Sequence, residues 1–160
     1  MSGEDHAPAR TRIGWREYIG LPDLGLPQVK AKIDTGARTS ALHAEDLRVF
    51  RGVASKKPKR VEFTVPIPGE KRVRRVRCSA AIVNRLKVTD SGNHSELRYV
   101  IRTTLRLAED SWPAEITLTD RTGMHFPMLL GRTAMRGRFL VDTAHSFLVG
   151  KNPKRKSRLR

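Results

Sequence analysis

Cysteine is nearly absent: Cys78 is the single one among 160 residues, which excludes an internal disulfide and agrees with a reducing compartment. Its thiol reads as a small buried hydrophobe rather than a nucleophile. Aromatic residues make up 6% of the chain and hydrophobic residues 38%, a low share beside 30% charged, so part of the chain is expected to be solvated rather than packed. No run of about 18 apolar residues occurs, and the N-terminus lacks the apolar stretch of a secretory leader. A soluble, cytoplasmic protein without membrane contact is the expectation. The histidines, His6, His43, His94, His125 and His145, form no His-Glu-x-x-His pair, and there is no Cys-x-x-Cys, so no metal site is expected. A glycine-rich Lys-Ser/Thr phosphate loop is missing too, which argues against ATP. No cofactor is expected at all.

Negative charge is the other scarcity. Asp and Glu total 16 against 32 Lys and Arg, leaving a net charge of +16 that steers anionic molecules toward the chain. The basic residues are spread over residues 56–60, 71–77 and 151–160, with no recognition helix, zinc-finger spacing or aromatic RNA-binding signature among them. The charge therefore specifies an anionic partner and leaves open whether it is nucleic acid, the ribosome or an acidic peptide. A weak nucleic-acid contact through the basic tail belongs among the expected partners.

What is present is alternation of period two, the mark of strands with one buried face. Val29, Ala31 and Ile33 alternate with lysines; Val61, Phe63, Val65 and Ile67 form a second series. The longest runs from Leu97 through Tyr99, Ile101, Thr103 and Leu105 to Leu107, and a turn at Ala108-Glu109-Asp110-Ser111 leads into a strand over 114–119, forming a hairpin. Residues 126–130, 139–141 and 146–149 read as further strands, and only 39–47 and 133–138 as short helices. The expectation is an all-β fold, a closed or sandwiched antiparallel sheet in one domain over residues 12–150. A disordered segment is expected at 1–11, and a basic disordered tail at 151–160.

The chemistry-bearing segment is Lys30-Ala31-Lys32-Ile33-Asp34-Thr35-Gly36-Ala37-Arg38-Thr39-Ser40. It puts a carboxylate at the end of an apolar strand, with a tight turn behind it. Gly36 lets another backbone approach, Ala37 keeps space free, and Thr35 offers a hydroxyl. Alone the tripeptide is weak, because Asp and Gly are ordinary turn residues. A second segment, Phe126-Pro127-Met128-Leu129-Leu130-Gly131-Arg132, is an apolar strand ending in Gly-Arg.

Together and in this order, the two segments resemble the retropepsin-like aspartic proteases. That resemblance implies a closed antiparallel β-barrel with one or two short helices. It also implies catalytic roles for Asp34, Thr35 and Gly36, and a structural role for Leu130, Gly131 and Arg132. A flap within Val88-Thr89-Asp90-Ser91-Gly92-Asn93-His94 is placed by the same resemblance, so that Ser91, Gly92, Asn93 and His94, with Ala37 and Arg38, would line the substrate. More closely, Ile13-Gly14-Trp15-Arg16-Glu17, residues 31–44 and Leu118-Thr119-Asp120-Arg121 are similar to a bacterial family historically labelled "ATP-dependent zinc protease", over roughly residues 12–149. Members of that family are often associated with an ATP-grasp ligase that adds glutamates to a small-subunit ribosomal protein, and the retropepsin-like partner is implicated in trimming those tails. An acidic, glutamylated substrate is what this resemblance implies.

Aspartic proteolysis needs two carboxylates, and the chain holds one Asp-Thr-Gly. Asp142-Thr143-Ala144, lying after the Gly-Arg element, is a poor second half-site, so a homodimer is expected. Retroviral members carry an acidic residue where this chain has Arg38, which leaves Arg132 without that ion-pair partner and gives the cleft a fixed guanidinium suited to carboxylates. Two other readings compete: a catalytically silent dimeric binding module on the same fold, and a basic ribosome- or RNA-binding protein. Asp34→Asn separates the first from the peptidase; steep salt dependence marks the second.

Overall fold

The computed structural model describes residues 10–89 and 91–150. The disorder expected of residues 1–9 and of the tail at 151–160 lies outside the described residues, whereas Thr11 already opens a strand. In chain order the elements are β1 (Thr11–Gly14), β2 (Arg16–Leu21), β3 (Leu26–Ile33), β4 (Ser40–His43), β5 (Glu45–Arg51), β6 (Pro58–Pro68), β7 (Val73–Thr89), β8 (Ser95–Leu107), β9 (Asp110–Thr119), β10 (Met128–Leu130), the one-turn helix α1 (Arg132–Met135) and β11 (Phe139–Asp142).

Six strands close on themselves in the order β2-β3-β10-β4-β9-β8, and β8 returns to β2 through the pair Gly20 and Arg106. A Cβ on Gly20 would stand 3.1 Å from the Pro27 carbonyl oxygen, a tight approach at the closure point. This is the all-β barrel with a short helix expected from the sequence, with one correction: the pairing is mixed. β10 runs parallel to β3, β4 parallel to β9, and β1 parallel to β11. Alternation reports which face is buried and carries no information on strand direction, which is why the sequence suggested antiparallel pairing throughout.

The core follows that alternation. Val29, Ala31 and Ile33 of β3 meet Leu42 of β4, Ile101 and Leu105 of β8, Ile116 and Leu118 of β9, and Met128 and Leu130 of β10. The β8–β9 hairpin has Leu107 opposite Asp110, with Ala108 at positive φ (56°) in the first central position of the turn. β7 is divided between two partners: its first half pairs with β6 and its second half with β8.

Two expected elements are overturned. Residues 39–47 are not a helix. Ser40–His43 form β4, hydrogen-bonded to β10 on one side and β9 on the other, and β5 begins at Glu45. Residues 146–149 are not a strand, because their amides leave the ladder. Phe147 N–H donates to the Arg16 carbonyl (2.9 Å), while Leu148, Val149 and Gly150 donate to the carboxylate of Glu17. Glu17 is fully buried; its Oε2 accepts from Gly14 (2.7 Å) and Leu148 (2.8 Å), its Oε1 from Val149 (3.2 Å) and Gly150 (2.8 Å). Successive amides wrapped around one carboxylate form an anion nest, here filled from within the chain.

Candidate active site

Asp34 follows directly on β3, and its N–H donates to the Leu130 carbonyl (2.9 Å), extending the β3–β10 pairing by one residue. The chain then turns sharply. Oδ1 of Asp34 accepts from the amides of Gly36 (3.0 Å) and Ala37 (3.1 Å), a side-chain-closed turn that fixes the carboxylate. Among the described residues no hydrogen bond engages Oδ2. Asp34 is half-buried, so the group combines a pinned orientation with one free oxygen and access from outside.

The segment after β10 holds this turn in place. Arg132 donates from Nη1 to the carbonyls of Thr35 (3.0 Å) and Gly36 (3.3 Å), its amide donates to Ala37 O (2.7 Å), and Thr133 reaches Arg38 O with both its amide (3.1 Å) and its Oγ1 (2.8 Å). The guanidinium left without an acidic neighbour by Arg38 thus serves the Asp34 turn's own carbonyls. Gly131 is pressed against the same strand: its amide donates to Ser40 Oγ (3.0 Å), and a Cβ there would overlap Thr39 O and stand 2.5 Å from Thr39 C. The short Leu-Gly-Arg stretch therefore acts as a brace for residues 35–40.

The remaining candidates divide. Ala37 is half-buried and Arg38 exposed, close to Asp34 in the same turn. Ser91, Asn93, Gly92 and His94 form the exposed tip of the β7–β8 hairpin, with Asn93 at positive φ (63°), a conformation asparagine tolerates. The cavity beside the Asp34 turn is walled by this hairpin's stem, through Asn84, Leu86, Val100 and Arg102, rather than by its tip. Asp142 uses both its oxygens locally, accepting from the Ala144 amide (2.9 Å) and meeting His145 Nδ1 (2.8 Å). Cys78 is buried and donates to Leu24 O (3.3 Å); burial pushes its thiol up to about 11, which makes it a core group.

Several residues near the site escaped the sequence reading. Arg121 is half-buried and donates from Nε to Phe126 O (3.0 Å). Burial lowers its pKa from the usual value, partly offset by the Asp34 carboxylate, so a guanidinium stands within electrostatic reach of Asp34. The Arg121 amide donates to Nδ1 of the buried His43 (2.8 Å), which leaves Nε2 of the neutral ring to donate to Glu45 Oε1 (3.0 Å). Among the described residues, no group of three or more His, Cys, Asp or Glu side chains is placed to hold a metal ion.

The model of one protein family, described as "RimB-like: Retropepsin-like aspartic endopeptidase RimB", matches residues 12–152. The chain belongs to that family. The family is one of retropepsin-like aspartic endopeptidases, and the matched region includes the Asp34 turn. Relatives include proteins called probable alpha-L-glutamate ligase, 40% identical in Shewanella pealeana and 41% in Parasynechococcus marenigrum, each over 139 residues and 86% of this chain. The chain spans 30% and 29% of their respective lengths, so the RimB-like region is one part of those longer proteins. Among solved structures, a Legionella pneumophila protein of unknown function superposes with a TM-score of 0.68 at 26% identity, over 88% of this chain and 98% of that one.

Proposed function

We propose that two copies of this RimB-like chain assemble one active site from their two Asp34 carboxylates and hydrolyse peptide bonds in a glutamate-rich tail, such as that of a glutamylated ribosomal protein. The observation that carries the reading is the state of Asp34: one oxygen is pinned by two amides, the other is free, and the turn is braced by Arg132. A dyad must be rigid, because two carboxylates about 3 Å apart share a single proton only while their geometry holds them together. One chain supplies one such group, and a two-fold axis supplies the other.

The chemistry follows from that pairing. Asp34 of one copy, ionised, takes a proton from a water whose oxygen attacks the peptide carbonyl carbon. Asp34 of the other copy, protonated, gives its proton to the carbonyl oxygen, so a neutral gem-diol forms. Collapse restores the C=O bond, breaks the C–N bond and delivers a proton to the leaving amine. Support for an acidic substrate comes from two directions. The chain is strongly basic, and this region recurs in longer proteins called probable alpha-L-glutamate ligase, a name that points to glutamyl bonds.

The test is to incubate the purified protein with a peptide ending in α-linked glutamates and follow loss of mass. Release of fragments of one or more glutamates, insensitive to EDTA, is expected. Failure to cleave at concentrations where the protein is dimeric, or activity lost with EDTA and restored by zinc, would overturn the proposal.

A further inference from the structure

Beside the Asp34 turn lies a cavity of about 730 Å³, within the roughly 300–1,000 Å³ typical of small-ligand sites. Its near end is Arg38 and Thr39; its walls come from the β7–β8 stem, the start of β9 and the α1 segment. Four arginines line it, Arg38, Arg102, Arg136 and Arg138, against one carboxylate, Glu115. Arg102 and Glu115 are cross-strand partners in the β8–β9 ladder, yet among the described residues none of the four guanidiniums is in an ion pair.

An aromatic side chain stands in the same wall. Trp112 is 4% exposed, and its indole N–H is buried without a hydrogen-bond partner among the described residues. Arg138 lies over the Trp112 ring, 5.0 Å from its centroid. All four arginines are exposed, and a carboxylate bound among them would accept the forked hydrogen bonds a guanidinium offers.

We infer that this cavity is a carboxylate-recognition subsite, in which Arg102, Arg136 and Arg138 join Arg38 to hold acidic side chains of a peptide on one side of the bond to be cut. It deepens the peptidase reading and rests on it for the position of that bond, though not for binding itself. The occupant is a peptide rather than nucleic acid because of what separates the arginines. Leu86, Val100, Trp112 and Ala134 supply apolar wall suited to the methylene stems of glutamyl side chains. The cavity is also coupled to the catalytic turn, since Thr133 in its wall donates to Arg38 O. The exposed cluster Lys56, Lys57 and Lys59 lies outside this lining and serves as a control of equal charge.

The experiment measures binding of a fluorescein-labelled hexa-α-glutamate peptide to the Asp34→Asn protein by anisotropy, so that no turnover intervenes. Arg102→Gln/Arg136→Gln/Arg138→Gln is expected to weaken binding about tenfold or more, equivalent to about 1.4 kcal/mol, whereas Lys56→Gln/Lys57→Gln/Lys59→Gln should weaken it less than about threefold. With Trp15→Phe in the background, the peptide should shift Trp112 emission and the arginine triple should abolish that shift. Because the triple can fail to fold, Glu115→Gln provides a second arm: removing the cavity's carboxylate should tighten binding about twofold or more. Equal weakening by both triples, no tightening by Glu115→Gln, or displacement of the peptide by hexauridylate at equal or lower concentration would each overturn the subsite. Arginine-dependent binding together with no cleavage by the unmodified protein would overturn the peptidase reading and leave the subsite standing.

Discussion

Replacing Glu17 by glutamine exchanges one acceptor oxygen for an NH2 group in a fully buried position surrounded by four amide donors. Whichever way the new amide turns, two donors face donors. They are the Val149 and Gly150 amides if nitrogen replaces Oε1, or those of Gly14 and Leu148 if it replaces Oε2. An orphaned buried donor costs about 1–3 kcal/mol, and the two remaining bonds lose their charge assistance, so a total of about 3–6 kcal/mol is expected. Against a domain stability of about 5–15 kcal/mol that is a large fraction, and it corresponds to a fall in melting temperature of about 6–24 °C at this chain length. The damage should be local first: amide hydrogen exchange at Leu148, Val149 and Gly150 should accelerate before the barrel opens. It should then reach the site, because Trp15 O, between β1 and β2, accepts from Ile33 N (2.8 Å) one residue before Asp34. Thermal unfolding and exchange measurements on Glu17→Gln check both statements. A loss below about 1 kcal/mol, with protection of 148–150 intact, would refute the nest as a structural support.

Gly131→Ala drives a methyl into the Thr39–Ser40 backbone, and overpacking of this kind costs about 1–3 kcal/mol; peptidase turnover should fall more than stability, read by comparing specific activity with melting temperature. Acid should destabilise the fold through Glu45, held below the ordinary 4.5 by hydrogen bonds from His43 and Arg75, and through Asp120 and Asp142, held below 3.8 by hydrogen bonds from Thr122 and Ala144 respectively. Each of these has a depressed folded pKa, so its contribution is complete above those ordinary values and is lost as pH falls through the lower folded ones. Melting temperature should therefore hold at pH 5 and above and decline below about pH 4.5, with Glu45→Gln flattening the upper part of that decline. Cys78, raised to about 11, should resist iodoacetamide at pH 8 in the folded protein and react after unfolding; labelling of the native state would contradict its burial.

The strands legible in the sequence were those with one wet face: β3, β6 and the β8–β9 hairpin show their alternation plainly. β4 did not, because Ser40, Leu42 and His43 are buried in a strand paired on both edges, and a short run buried this way looks like a helix turn. β7 was hidden by Arg74, Arg75 and Arg77, a charge run that lies on an exposed strand. Proline limited β10 to three residues, since Pro127 has no amide to give. In the site, the Asp34 turn and its Gly131-Arg132 brace were readable because each is contiguous in the chain. Arg102, Arg136 and Arg138 were not, for Arg102 on β8 and the two arginines of the turn after α1 are far apart in the chain and read as solvated charges. Glu17 was visible only as part of a resemblance, since nothing local distinguishes a buried glutamate from a surface one.

The pairing of Asp34 across two chains is tested most directly by mixing. Wild-type protein and Asp34→Asn protein are combined at fixed total concentration, allowed to exchange subunits, and assayed on the glutamate-tailed peptide. If each site needs two intact carboxylates, activity follows the square of the wild-type fraction, and an equal mixture gives about one quarter of the all-wild-type rate. A rate of about one half, proportional to the wild-type fraction, would show that one chain suffices and would contradict the shared site.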